Sequence, residues 1–142
     1  DEVYETITNA SPESAIEFFH GYTYSGHPAA CAAGNVAQDL YQRDNLFERA
    51  GKLAGYFGEA LHSLKDLECL KDIRSYGLMG AIEVKAQGAP GALGTELQKE
   101  LFWNGLHVKF TGDSGIVAPP FVVEESHIDE MVDKLRATLS KI

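Results

Sequence analysis

The chain is organised around the stretch HGYTYSGHPAACAAG, residues 20–34. Its glycines let the backbone bend or approach another group closely. Pro28 suits the first turn of a helix, where its missing N–H is no loss, and small residues follow it. Hydroxyls at Thr23 and Ser25, together with backbone N–H groups at a helix start, make a place that can hold an anion. A packed connection between an extended segment and a helix explains the same residues without a ligand, so both interpretations stay open here.

The composition describes a folded, acidic chain. With 142 residues and 44% hydrophobic residues it suits one domain with a buried core. A formal net charge of −9 argues against a nucleic-acid partner, because phosphates need a basic face, and against an anionic membrane surface. No apolar run approaches the roughly 20 residues of a membrane span. The acidic start has no signal-peptide core and no Met, and we expect a fragment or a processed product.

Cysteine and histidine usage predicts no metal site. The two cysteines, Cys31 and Cys69, form no Cys-x-x-Cys motif, and the five histidines are scattered. Cys31 stands in an alanine-rich segment and is expected to be a small buried residue. The spacing leaves a disulfide open, but we expect a reducing, cytoplasmic environment.

Hydrophobic spacing predicts the secondary structure. Apolar residues three and four apart predict helices over about residues 28–41, 46–64, 92–104 and 127–142. Short apolar or alternating runs predict strands over about residues 70–74, 78–84, 106–110 and 116–118. These elements predict an α/β fold, an α+β-like two-layer sandwich whose compact, mostly antiparallel sheet carries helices on one face.

Several local features are also predicted. Asn45 and Ser126 are expected to cap helices, each with an acidic residue three positions later. Asp113 is expected to bond its own local backbone in a turn. Trp103 is expected to be a half-buried anchor. A cap at residues 11–14 is expected before Ile16.

Three motifs resemble one family. Residues 20–28 are similar to the H-G-[YF]-T-Y-S-G-H-P segment of class III pyridoxal-phosphate (PLP) aminotransferases, most closely their ω-amino acid–pyruvate (β-alanine–pyruvate-like) branch. Residues 74–83 resemble the family block R-x-x-G-L-M-x-x-I-E, and residues 108–120 resemble V-R-x-x-G-D…P-P. The resemblance covers essentially the whole chain, but only the last third or so of a family member.

The resemblance implies a domain arrangement and an activity. Residues 1–27 would be an extended segment from the edge of the large domain, and residues 28–142 the small C-terminal domain of a fold-type I PLP-dependent transferase. The parent enzyme would be a cytoplasmic homodimer that uses pyridoxal 5'-phosphate to move an amino group from an ω-amino acid or amine to a 2-oxo acid, pyruvate. Other class III members, such as an aminomutase or an enzyme with a different acceptor, and a non-catalytic interaction domain of the same fold remain alternatives.

The resemblance also implies site residues. Tyr22 and Thr23 would bind the PLP phosphate of the neighbouring subunit. Lys109 stands where the family has the arginine that binds the substrate carboxylate, and an ammonium lacks the planar, bidentate geometry of a guanidinium. Lys109 therefore binds a carboxylate more weakly, serves a different substrate, or is only an exposed strand residue.

No catalytic residue is expected within this chain. PLP transamination needs a lysine that forms a Schiff base with the cofactor. None of the eight lysines lies in the family's context for that residue. The resemblance places the acid on the pyridine nitrogen outside this chain as well. We therefore expect this chain alone to be inactive.

Overall fold

The computed structural model describes residues 1–10 and 21–142. They divide into two compact units, residues 1–38 and residues 39–142, and each is described by itself. The predicted boundary after residue 27 stays a prediction. The cap predicted at residues 11–14 lies outside the described residues.

The first unit contains two helical segments and a turn. Helix α1 spans Glu2–Thr8, and helix α2 spans Pro28–Arg43, so it begins in the first unit and ends in the second. The helix predicted from Pro28 is thus confirmed. Residues 23–26 form a turn. Within residues 1–10 and 21–38 no side chain is buried, and Cys31 is exposed, so the prediction of a buried Cys31 is wrong.

The second unit is a sheet with helices. In chain order its elements are α3 (Leu46–His62), a 3-10 turn (Ser63–Asp66), β1 (Leu70–Tyr76), β2 (Met79–Val84), α4 (Ala92–Trp103), β3 (Lys109–Thr111), β4 (Ser114–Val117) and α5 (Glu125–Leu139). The four strands lie in the order β1-β2-β4-β3, and every neighbouring pair is antiparallel. This confirms the predicted mixed fold with a small antiparallel sheet.

The core lies between the sheet and helices α3, α4 and α5. Alternate residues of β2 point into it, as the predicted strand pattern requires. Helix α5 buries Ile128, Val132, Leu135 and Leu139 and half-buries Met131, whereas Ile142 lies beyond the helix and is 42% exposed. The largest fully buried side chains are Phe57, Leu61, Leu64, Ile82, Leu101, Ile128, Leu135 and Leu139.

Two glycines of the sheet serve different purposes. A Cβ on Gly80 would lie 2.3 Å from a methyl group of Leu61, so helix α3 packs directly on the strand backbone at this point. Gly77 meets nothing within 4 Å but has a φ of 59°. It occupies the first position of the two-residue loop between Tyr76 and Met79, where glycine is favoured.

The predicted helix caps at Asn45 and Ser126 are wrong. Asn45 adopts a left-handed backbone with a φ of 49° and makes no side-chain cap. Glu124 caps α5 instead, in a reciprocal pair with His127. This pairing places the cap two residues before the serine. Trp103 is 83% exposed, so the predicted half-buried anchor is also wrong.

The sheet has two unlike faces. One is covered by helices and carries Gly80, Ile82, Val84 and Val117. We call the other the open face. The strand register places on it Asp72, Arg74, Tyr76, Met79, Ala81, Glu83, Lys109, Thr111, Ser114 and Ile116.

Candidate functional site

The predicted phosphate-binding residues lie on an exposed turn. Tyr22 is 72% exposed, and Thr23 and Ser25 are also exposed. The Ser25 N–H donates to the carbonyl oxygen of Tyr22 at 3.2 Å, which closes the turn. His27 follows, and its Nδ1 accepts from the Ala30 N–H at 3.4 Å at the start of α2. The turn therefore presents hydroxyl groups beside a helix N-terminus.

The donors on this turn fit a phosphate group. Thr23 and Ser25 supply hydroxyl donors, and residues 21–28 contain no acidic side chain that would repel an anion. A Cβ added at Gly21 or Gly26 would meet nothing within 4 Å, so the described surroundings leave room for a ligand. Charge-assisted bonds from hydroxyls to a phosphate are stronger than neutral ones. The roles of Tyr22 and Thr23 remain predictions.

Lys109 begins strand β3 and is exposed on the open face. Its neighbour Phe110 points inward and packs against the core, and the Phe110 N–H donates to Oε1 of Gln98 at 2.8 Å. That bond fixes the start of the strand against helix α4. None of the ion pairs found among residues 1–10 and 21–142 involves Lys109.

A charged cluster occupies the other end of the open face. Oε1 of Glu83 lies 2.6 Å from Nζ of Lys71, and Oε2 lies 3.3 Å from Nη1 of Arg74. Arg74 also pairs with Asp72. The hydrogen bond from Lys71, followed by that from Arg74, holds the pKa of the Glu83 carboxyl below its usual value. These pairs give Glu83 a structural role on the strand.

Asp113 caps helix α4 from a distance. Its carboxylate accepts from the backbone N–H groups of Gly91, at 3.2 Å, and Gly94, at 3.3 Å. The prediction that Asp113 bonds its own turn is therefore wrong. Gly91 stands at the N-cap position and has no side chain to cap the helix, so Asp113 supplies that acceptor. The β3–β4 turn is thereby attached to the start of α4.

Arg49 holds the segment after the two prolines. Its Nε donates to the carbonyl oxygen of Phe121 at 3.1 Å, and its Nη2 donates to that of Val123 at 2.6 Å. The ring of Phe121 lies 5.6 Å from that of Tyr41 and 5.5 Å from that of Phe47. The sequence contains no local pattern that would have identified Arg49, because its partners are more than seventy residues away.

The predicted site residues fall in two different units. Tyr22 and Thr23 belong to the first, and Lys109 belongs to the second. Sequence reasoning missed the partner of Lys109 across the hairpin, which is Ile116. A two-residue loop at Gly112 and Asp113 would have predicted this pairing by simple counting along both strands.

Two structural features are absent from the part of the chain that the structure describes. No helix there is long and apolar enough to cross a membrane. No group of three or more His, Cys, Asp or Glu side chains there is placed to hold a metal ion.

Comparison with known proteins identifies the family. The family model for aminotransferase class-III matches residues 1–139. The omega-aminotransferase of Caulobacter vibrioides is 41% identical over 99% of this chain and 32% of its own length. The beta-alanine–pyruvate aminotransferase of Pseudomonas aeruginosa has the same identity and the same coverage of both chains.

Solved structures agree with this assignment. The omega transaminase of Pseudomonas jessenii in complex with PMP superimposes with a TM-score of 0.75 at 25% identity, covering 87% of this chain and 29% of that one. A transaminase structure with L-ala gives a TM-score of 0.76 at 27% identity, over 82% of this chain and 29% of its own. The chain spans about a third of the length of the curated relatives it matches. The chain belongs to the class III aminotransferase family.

Proposed function

We propose that this chain forms the C-terminal part of a PLP-dependent aminotransferase that moves an amino group from an ω-amino acid or amine to pyruvate. The observation that carries the proposal is the 41% identity to an omega-aminotransferase over 99% of the chain. Because the chain spans about a third of that relative, the activity belongs to the complete protein and the chain alone is inactive. The complete protein works as a cytoplasmic homodimer, and residues 28–142 form its small domain.

The first unit contributes to cofactor binding. PLP, when bound, supplies an electron sink that stabilises negative charge at the carbon being deprotonated. Thr23 donates its hydroxyl to the phosphate of the PLP that the neighbouring subunit holds, and Tyr22 lines that same site. The exposed hydroxyls and the absence of acidic side chains in residues 21–28 support this role.

The second unit contributes to substrate binding. Lys109 binds the carboxylate of the substrate with its ammonium group, which acts as a point charge and not as a planar fork. Its exposure on the open face, apart from the ion pairs of that face, supports this role. The lysine also favours a second candidate, a class III enzyme with a different acceptor.

The activity is tested on protein expressed from its complete reading frame. With β-alanine and pyruvate it should form alanine and carry bound PLP through gel filtration. A colourless protein without transamination would contradict the proposal and favour a non-catalytic interaction domain.

The cofactor role is tested by Thr23→Ala. This variant should lose PLP on gel filtration, while the thermal midpoint of its PLP-free form should equal that of the PLP-free parent. Thr95→Ala, which removes the hydroxyl of an exposed threonine in α4, is the matched control and should retain PLP. Equal retention by both variants would contradict the assignment of Thr23.

The substrate role is tested by Lys109→Arg. A guanidinium binds a carboxylate through two parallel hydrogen bonds, so the KM for pyruvate should fall. An unchanged or higher KM would count against a carboxylate at this position.

A further inference from the structure

Ile116 lies directly opposite Lys109 across the β3–β4 hairpin. The two residues are Cα partners in the antiparallel register. Side chains of such partners share one face, with Cβ atoms about 4.5–5.5 Å apart. The flanking residues Phe110 and Val117 point into the core, and Ile116 itself is 41% exposed. Lys109 and Ile116 therefore stand side by side on the open face.

No acidic side chain lies directly across the sheet from this pair. The next residue across the sheet from Ile116 is Ala81, and Arg74 follows on the outer strand. The acids Asp72 and Glu83 belong to a different set of cross-strand partners, and they are already paired with Arg74 and Lys71. The position opposite Lys109 is thus occupied by a hydrocarbon, where an acidic side chain would form an internal ion pair.

We propose that Ile116 is a positioning residue of the carboxylate site. Its branched side chain packs beside the aliphatic stem of Lys109, and it fills the directly opposite cross-strand position, from which a carboxylate would neutralise the ammonium. The ammonium therefore remains available to the carboxylate of a short 2-oxo acid. This inference rests on the proposed function, because it assumes that Lys109 binds that carboxylate.

The test is Ile116→Glu in protein expressed from its complete reading frame. The new carboxylate should pair with Lys109 and compete with the substrate, raising the KM for pyruvate by roughly three- to tenfold. The kcat at saturating pyruvate should stay within about twofold, since the competing pair weakens the binding of the substrate and of the transition state equally. The Kd for propionate, measured by calorimetry, should rise by the same factor. Turnover of butanal, which has no carboxylate, should not change.

Two further variants separate charge from shape and position. Ile116→Gln has the shape of the glutamate variant without its charge, and it should raise the KM for pyruvate less. Met79→Glu adds the same charge to the same face, at an exposed residue of β2 that does not pair with β3. It should leave the kinetics with pyruvate unchanged.

Lys109→Ala distinguishes failure of the inference from failure of the proposed function. If Lys109→Ala raises the KM for pyruvate but Ile116→Glu does not, the role of Ile116 is overturned and the carboxylate site stands. If Ile116→Glu slows the turnover of pyruvate and of butanal equally, Ile116 is only structural, which also overturns the inference. If Lys109→Ala leaves the KM and the propionate Kd unchanged, the proposed substrate role of Lys109 fails, and the inference fails with it.

Discussion

The two faces of the sheet use the same residue type for different purposes. Ile82 in β2 is 0% exposed and packs among the buried residues under the helices, whereas Ile116 in the neighbouring strand β4 is 41% exposed beside Lys109. Both suit a strand because they are β-branched. Burial on the covered face explains the fold. The residues of the open face are not needed for that core, and the proposed substrate-binding residue Lys109 is one of them.

The largest expected effect is the loss of a core side chain. Ile82→Ala should lower the free energy of unfolding by about 2–5 kcal/mol, because it removes buried methyl groups and leaves a cavity. Ile116→Ala is the matched change on the open face and should cost less than about 1 kcal/mol. Urea denaturation followed by circular dichroism measures both. Equal losses would erase the distinction between the two faces.

Two helical glycines should respond in opposite directions. A Cβ on Gly94 would lie 2.0 Å from the carbonyl oxygen of Gly112, so Gly94→Ala should destabilise the fold by about 2 kcal/mol. A Cβ on Gly55 meets nothing within 4 Å, so Gly55→Ala should stabilise helix α3 by up to about 1 kcal/mol. Thermal midpoints that shift in the same direction would contradict this account of helix packing.

The cap of α4 should have an intermediate effect. Asp113→Ala removes the acceptor of two backbone N–H groups at the helix start and should cost about 1 kcal/mol. Asp133→Ala, at an exposed position of α5, is the control and should change stability by less than about 0.5 kcal/mol. Urea midpoints that do not distinguish the two variants would show that Asp113 is not a cap.

The smallest expected effect is on the pH dependence of stability, through the ion pairs of the open face. The pKa of Glu83 lies below its usual value because of Lys71 and Arg74. A lowered pKa in the folded state stabilises the protein above the unfolded pKa, and this stabilisation is lost as pH falls through the folded pKa. Glu83→Gln should therefore flatten the stability profile in the acidic range. An unchanged profile would mean that these exposed ion pairs contribute nothing measurable.

The sequence predicted the features of the fold that depend on periodicity. Helical stripes and strand alternation located the elements of the second unit. The caps could not be predicted in this way. Asp113 acts on Gly91, 22 residues away, and Glu124 pairs with a histidine where the familiar pattern expects glutamate or glutamine. Trp103 shows that a large apolar side chain is not necessarily buried.

The candidate site was predictable to different degrees. The face on which Lys109 lies follows from the two-residue loop at Gly112 and Asp113, since the loop fixes the register of the hairpin. Nothing in the local physics of Tyr22 and Thr23 selects a cofactor phosphate over another anion or a packed turn. Only the resemblance to the family predicts that ligand.

The most direct test of the central claim is Lys109→Ala in the protein expressed from its complete reading frame. We expect the KM for pyruvate to rise while the thermal midpoint stays unchanged. The control Lys99→Ala, which removes an exposed lysine of α4, should leave the thermal midpoint unchanged as well. That result would show that Lys109 serves substrate binding and not the fold. A lowered thermal midpoint, or an unchanged KM, would contradict it.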